Sequence, residues 1–571
     1  MTPHYQLDQA LLLHQKGALA KAEQLYLEIL AGSRNFRAQY LLAVLRHQQE
    51  RWTEALEAVE AALELEPDAA EALGLYAMLL TSTSRFEEAL ASFDRVLRRN
   101  AEYGEMWGYR GAALMGLKRF DDALQSFNRA LLLKPGSARV LHNRAGALQS
   151  LERFEEALAG YDDALALTPG YSKAWTGRGR ALQSLERFEE AVASYDKALA
   201  LTPDHSKTWS ARAVALLSLN RFEEASASCN KALAFSPDHA EAWHNLALAL
   251  RALRRLDEAI ASADRALVLR PHHPPSLFLR GTLLCEINHL AEGFAAYTRH
   301  ARLTFQPPNP VADPSHKQRH DREQHDYLAG LGLGIRESEL YLADGERLQT
   351  AAINPDNADH IAAEWQKSRP QVVVVDNLLT EAALEELQRF CWGSTVWRRS
   401  YADGYLGAMP EHGFASPLLA QIADELCETF PTIFGKHRLQ MWWAFKYDSS
   451  LSGIRLHADD AAVNVNFWIT PDDANCNRNN GGLVIWDANA PEHWEMARYN
   501  GDERACRDFL ARAGAKSRIV PYRANRAVIF DSDLFHETDK IEFKEGYLNR
   551  RINITMLYGR RAAAPEAWRV P

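Results

Sequence analysis

The sequence predicts a two-part fold: an all-α solenoid of stacked helix pairs, followed by a strand-rich domain rolled from short strands with flanking helices. Three observations predict it. A 34-residue period holds for seven rows, the period is lost after about residue 305, and the remaining chain alternates short apolar runs with turn-forming segments.

The period is carried by residue types with separate physical roles. Large residues recur at Leu73, Trp107, Leu141, Trp175, Trp209, Trp243 and Leu277, followed thirteen positions later by Phe86, Phe120, Phe154, Phe188, Phe222, Leu256 and Leu290. A small residue comes three further on, at Ala89, Ala123, Ala157, Ala191, Ala225 and Ala259, where two helices can cross closely. Pro67, Pro135, Pro169, Pro203, Pro237 and Pro271 close most rows, because proline lacks the amide that would continue a helix. Two earlier units are recognisable from LAKAEQLYLEIL and WTEALEAVEAALELEP, which makes about nine. On these residues the array, residues 1–305, resembles tetratricopeptide repeats. That resemblance implies a curved stack whose long groove holds a protein or peptide, since one helix pair cannot cover its own apolar face.

Arg110, Arg144, Arg178, Arg212 and Arg280 recur at one position of the period, and Asn128, Asp162, Asp196 and Asn230 follow four of them by eighteen residues. Buried guanidinium groups need acceptors, so these read as structural pairs between the two helices of each repeat rather than as a ligand ladder.

Composition narrows the partners. With 571 residues the chain divides into at least two cores, and a net charge of −10 gives no basic footprint for nucleic acid or an acidic membrane surface. Six cysteines without a CxxC pair predict neither a disulfide framework nor a thiolate zinc site and fit a reducing cytoplasm. The start MTPHYQLDQALLLHQKG lacks the pattern of a signal peptide, and no apolar run is long enough to span a bilayer, so a soluble cytoplasmic protein is expected.

Residues 306–370 read as a linker, proline-rich and then charged, with helical segments at HDYLAGL and NADHIAAEWQKS. In residues 371–571, Val372–Val375 and the segments MWWAFKY, VNVNFWIT, GGLVIWD, RAVIFD and RINITMLYG read as strands. Several short strands with long loops suggest a double-stranded β-helix, a jelly-roll or cupin-like domain. Loops 401–413, 472–480 and 488–518 are expected to frame its mouth.

The chemistry is concentrated in RLHADD, DLFHETD and NRRINITMLYG. Residues two apart on a strand share a face, so His457 and Asp459 can present an imidazole and a carboxylate to one metal, with His536 as the third ligand from a neighbouring strand. Two histidines and a carboxylate leave three positions open, which suits Fe(II) that must bind a bidentate co-substrate and O2 together. His412 and His493 are rival histidines, but neither follows an apolar strand. No GxSxG, Walker loop or dinucleotide-binding glycine pattern is present, so acyl and phosphoryl transfer have no support.

With these motifs in place, residues 371–560 resemble the 2-oxoglutarate-dependent Fe(II) oxygenases, and within them the prolyl-hydroxylase-like branch. The resemblance implies Fe(II), 2-oxoglutarate and O2, with ascorbate as an accessory reductant, and hydroxylation coupled to release of succinate and CO2. It also implies a basic residue past the distal histidine that grips the far carboxylate of 2-oxoglutarate. Arg551 fits, and its guanidinium fork suits a carboxylate. Arg550 competes, but strand parity groups Arg551 with Asn553 and Thr555 and turns Arg550 away. Asn553 and Tyr447 take co-substrate roles by the same resemblance. Asn464, Asn466 and Trp468 form one inward set by parity that completes the pocket or packs as plain core. Repeats fused to such a domain resemble known protein hydroxylases, which implies a polypeptide substrate. A small or carrier-bound metabolite, or a non-catalytic scaffold with a vestigial barrel, are the competing readings. The oligomeric state is not legible.

Overall fold

The structure, a computed structural model, describes residues 3–309, 311–356, 358–448 and 453–561; the end of the expected C-terminal domain, 562–571, lies outside the described residues. The chain divides into two compact units, Met1–Asn245 and Leu246–Pro571.

Among the described residues, eighteen helices run in pairs from Pro3–Gln15 to Leu290–Thr304. Each first helix ends on a residue in the left-handed region, and these recur every 34 positions, as at Glu152 (φ 59°), Glu186 (58°) and Asn220 (56°). The next amide then reaches back five residues, as from Arg187 to the Leu182 carbonyl at 2.9 Å, which closes the helix and turns the chain into its partner. The recurrent tryptophan and proline are linked directly. Trp175 and Trp209 donate their indole N–H to the carbonyls of Pro169 and Pro203 at 2.9 and 2.8 Å, fastening each first helix to the end of the preceding one. The alanines at the helix crossings, Ala89 to Ala259, are wholly buried.

The arginine ladder is structural, but its main acceptors differ from those expected. Arg110, Arg144, Arg178, Arg212 and Arg280 donate to Asp94, Asn128, Asp162, Asp196 and Asp264, sixteen residues earlier, at 2.6–2.8 Å. Each therefore joins its repeat to the second helix of the repeat before. Arg110, Arg178 and Arg212 also reach Ser126, Ser194 and Ser228 within their own repeat.

After helices Ser315–Gly330 and Ala358–Lys367 the chain becomes β-rich. Ten strands follow: β1 (Val372–Asp376), β2 (Trp397–Ser400), β3 (Leu406–Ala408), β4 (Leu439–Lys446), β5 (Val463–Trp468), β6 (Leu483–Asn489), β7 (Ser517–Val520), β8 (Arg526–Asp531), β9 (Leu534–Thr538) and β10 (Ile552–Tyr558). They form two antiparallel sheets, ordered β1-β8-β5-β10-β4-β3-β2 and β7-β6-β9. The segment expected as a loop at 488–518 instead carries helices Met496–Gly501 and Glu503–Ala513, whose apolar sides pack as Tyr499, Cys506 and Leu510 against Leu456, Ala458 and Phe535.

Alternation along the large sheet separates two interiors. Val463, Val465 and Phe467 of β5 and Ile552, Ile554 and Met556 of β10 face helices Glu381–Gly393 and Pro417–Thr429. Trp468, Phe530 and Phe445 face the other way, into a cluster shared with Leu483, Ile485 and Leu534 of the small sheet. Although the sequence period continues to about 305, its last helix pair belongs to the C-terminal core. Phe294 stacks on Trp442 of β4 with centroids 4.2 Å apart and planes 5° from parallel, and Cys285, Leu290 and Tyr297 join the same cluster.

Phe294→Ala removes this stack from a closed core. The unfolding transition of the C-terminal unit should lose about 3–5 kcal/mol, with the transition of residues 1–245 unmoved. Denaturant unfolding followed by tryptophan fluorescence, with a fragment of residues 1–245 as reference, measures it.

Candidate metal centre

His536 sits in the middle of β9, within the small sheet. His457 and Asp459 sit on a segment that runs antiparallel to β9 without forming a regular strand. The backbones of His457 and His536 exchange two hydrogen bonds at 3.0 and 2.8 Å, and the Asp459 amide donates to the Ser532 carbonyl at 3.2 Å. A bridge of this type brings two opposed side chains close together. The imidazole centroids are 4.3 Å apart, and His457, Asp459 and His536 each offer a ligand atom within 4.8 Å of the others. The Asp459 carboxylate lies 3.7 Å from His457 Nε2 and 3.4 Å from His536 Nε2.

Both imidazoles are oriented in the same way. His457 Nδ1 lies 2.8 Å from the Arg455 carbonyl, and His536 Nδ1 lies 3.0 Å from the Leu534 carbonyl. A carbonyl only accepts, so each Nδ1 carries the proton and each Nε2 keeps its lone pair for the centre of the cluster. Burial, and then the neighbouring His536, push His457 down to about 4, with Asp459 opposing. Burial alone would raise Asp459, but the flanking His536 and His457 rings and donation by Asn464 outweigh it and hold the carboxyl below its ordinary value. A neutral His457 beside an ionised Asp459 is the protonation state that a divalent cation requires.

From Asp459 a chain of side-chain hydrogen bonds runs across the large sheet. Asn464 donates to Asp459 Oδ2 at 2.6 Å, Asn466 to Asn464 at 2.9 Å, and Asn553 to Asn466 at 2.6 Å, with Thr555 also donating to Asn466 at 3.2 Å. The register makes this possible: Asn466 stands opposite Thr555, and Trp468 opposite Asn553. The asparagines that strand parity turned inward therefore do form one polar row.

Arg551 precedes β10 on the same side. It is 1 % exposed and lies against the rings of Tyr447 and Trp468, 4.9 and 5.7 Å from their centroids. Its Nε donates to the Gly481 carbonyl at 2.6 Å and Nη2 to the Gly482 carbonyl at 3.2 Å. A Cβ at position 482 would collide with the Val520 carbonyl, so only glycine lets this turn close. Among the described residues Nη1 and the Trp468 Nε1 have no well-formed hydrogen bond, and the buried Tyr447 hydroxyl interacts only loosely with Arg551 and Thr538. No carboxylate of the described residues pairs with Arg551. Arg550, by contrast, is held by Glu323 at 2.8 Å and Asp448 at 3.6 Å.

His412 lies on a short turn and His493 is exposed, and neither belongs to the cluster. Two aromatic neighbours escaped the sequence reading: Tyr405, stacked on Tyr447 at 5.2 Å, and Tyr522, 5.6 Å from Trp468. Both come from segments without strand alternation, and no signal in the sequence marks them.

Asn464→Ala frees Asp459 Oδ2 without touching a ligand atom. Affinity for Co(II), followed by its visible d–d absorption, should fall about 10- to 100-fold while the melting temperature stays within a few degrees.

Models of the tetratricopeptide repeat match residues 30–70, 40–95, 77–138, 142–206, 182–247 and 240–273. No curated protein matches the chain. Among solved structures, a tetratricopeptide repeat protein from Parabacteroides merdae is 19% identical over 43% of this chain and 98% of its own (TM-score 0.38). YrrB, described as a TPR protein with an unusual peptide-binding site, is 19% identical over 32% of this chain and 95% of its own (TM-score 0.29). The Cut9–Hcn1 hetero-tetramer of APC/C is 15% identical over 50% of this chain and 56% of its own (TM-score 0.38). Residues 30–273 are thus an array of tetratricopeptide repeats.

Proposed function

We propose that the C-terminal unit contains a double-stranded β-helix that holds Fe(II) and 2-oxoglutarate and hydroxylates a polypeptide recruited by the repeats. The observation that carries this reading is a matched pair of features on one polar row. At one end two Nε2 lone pairs and a carboxylate converge; at the other a buried guanidinium has an unused N–H and, among the described residues, no carboxylate partner. A cation in an apolar interior is destabilising unless an anion accompanies it, and a dicarboxylate that also chelates the metal supplies that anion.

Strand order supports the fold part of the reading. Taking β4, residues 454–459, β5, β6, β7, β8, β9 and β10 as eight successive strands, the first, eighth, third and sixth are neighbours in the large sheet. The second, seventh, fourth and fifth are neighbours in the small one. This is the connectivity of a jelly roll made of two Greek keys.

Fe(II), 2-oxoglutarate and O2, with ascorbate as accessory reductant, would supply the oxidising chemistry that inserts hydroxyl into a C–H bond and releases succinate and CO2. The chain's own groups bind and orient. His457, Asp459 and His536 would hold the metal on one face and leave the rest open. Asn464 fixes the carboxylate rotamer, while Arg551, with Tyr447 and Asn553 beside it, would grip the distal carboxylate of the co-substrate. Trp468, Tyr405 and Tyr522 keep water from that end.

A non-catalytic scaffold is the second reading. It is favoured by the family models, which match the repeats as far as residue 273. A small or carrier-bound metabolite as substrate is the third, with the repeats serving assembly.

Succinate release separates the first two readings. The full chain with Fe(II) and ascorbate should form succinate only when 2-oxoglutarate and O2 are present, and Asp459→Ala should form none. Arg551→Gln should raise the half-saturating 2-oxoglutarate at least about 100-fold. Absence of succinate above background under every condition would favour the scaffold.

A further inference from the structure

Three successive first helices of the solenoid carry cations without acidic neighbours on the same helix. Position two of the first helix reads Glu71, Glu105, Arg139, Lys173, Lys207 and Glu241 in successive repeats. The first helices Ala138–Ser150, Ser172–Ser184 and Ser206–Ser218 contain no aspartate or glutamate, although the chain as a whole is acidic. Of their seven cations, Arg144, Arg178 and Arg212 are tied to Asn128, Asp162 and Asp196. Arg139, Lys173, Arg180 and Lys207 are exposed, and no carboxylate of the described residues pairs with them, whereas Arg51, Arg85, Arg119, Arg153, Arg187 and Arg221 each hold one.

These four cations share one surface. First helices touch the first helices of neighbouring repeats, so they line the inner wall of the stack. His205 is held below its ordinary value by partial burial and then by Arg180, Lys207 and Lys173, with Asp204 opposing, so three cations from two repeats converge on it. One repeat earlier, His142 packs between Tyr161 and Tyr171 with centroids 5.5 and 5.1 Å away, and its buried Nδ1 has no partner. Arg139 is spread over the Tyr109 ring at 4.5 Å. The wall is therefore cationic, with aromatic rings and polar ring edges between the charges.

We infer that this window of three repeats binds an acidic, extended polypeptide segment. Neighbouring helices pack about 8–10 Å apart, so three of them span roughly 20 Å, the length of about six extended residues at about 3.3 Å each. Glu105 and Glu241 occupy the same position on either side of the window, so the run of cations ends after three repeats, too short for the longer run of phosphates that a nucleic acid would lay along the groove. Lys134 holds Glu105 at 2.9 Å, which leaves the boundary in place without drawing on the four free cations. Binding here is independent of any chemistry at the C-terminal site.

Fluorescence anisotropy of the full chain tests the assignment. The probes are a fluorescein-labelled octapeptide of Asp, Glu and Gly, its Asn/Gln/Gly counterpart, and a labelled deoxythymidine decamer. The acidic octapeptide should bind best, and less tightly as salt rises. Lys173→Glu with Lys207→Glu should weaken it at least about tenfold. Lys197→Glu with Lys231→Glu, equal in charge but on exposed positions of second helices, should leave it unchanged. Arg139→Gln with Arg180→Gln, which only neutralises, should weaken it by a smaller factor, and circular dichroism should match the parent for all three. Equal binding of the amide peptide, tighter binding of the decamer, or equal losses in the two lysine pairs would overturn the assignment.

Discussion

Two hydrogen bonds between the backbones of His457 and His536 set the geometry of the whole C-terminal site. They bring together strand segments far apart in sequence, and the opposed side chains then have little freedom except to converge. Because each imidazole donates its Nδ1 proton to a carbonyl two residues back in its own chain, neither ring can turn its Nε2 lone pair away without breaking a hydrogen bond, which for His536 is buried. The helices Met496–Gly501 and Glu503–Ala513 brace the segment from outside. The amide of Ala458, between the two candidate ligands, donates to the Tyr499 carbonyl at 3.1 Å, and Asn500 donates to the Ala458 carbonyl at 3.1 Å. The three side chains of the cluster are thus held in place by the chain's own hydrogen bonds.

The same sheet explains why the polar groups lie where they do. Its outer face is consumed by the helical core, so the alternate residues of β5 and β10 have only the gap between the sheets to face. Asparagines there must satisfy one another, and the row from Asp459 to Asn553 is the result. Beside it Arg551 spends its Nε and Nη2 on the carbonyls of Gly481 and Gly482, which leaves Nη1 over.

Much of this was legible in the sequence because it depends on period. A helix pair that cannot bury itself repeats its solution, and Trp175 and Pro169 recur together because one donates to the other. Strand parity separated Arg551 from Arg550 and grouped Asn464 with Asn466, since side chains alternate whatever the tertiary setting. What escaped depends on contacts without period. The ladder arginines reach sixteen residues back, and three of them also sixteen forward to a serine, rather than eighteen forward. Parity also grouped Asp459 with His457, and the two do share one cluster, although their segment forms no regular strand and the Asp459 amide is held by the Ser532 carbonyl. The short strands β2, β3 and β7 carry too few residues to display alternation.

The account stands on metal and dicarboxylate sharing one pocket, and an anaerobic titration tests that most directly. Fe(II) is added to the full chain under argon, then 2-oxoglutarate, while the visible spectrum is followed. The account predicts a weak charge-transfer band that saturates with 2-oxoglutarate and is absent in His457→Ala. Fe(II) bound by the parent chain with no band at saturating 2-oxoglutarate, or a band unchanged in His457→Ala, would contradict it.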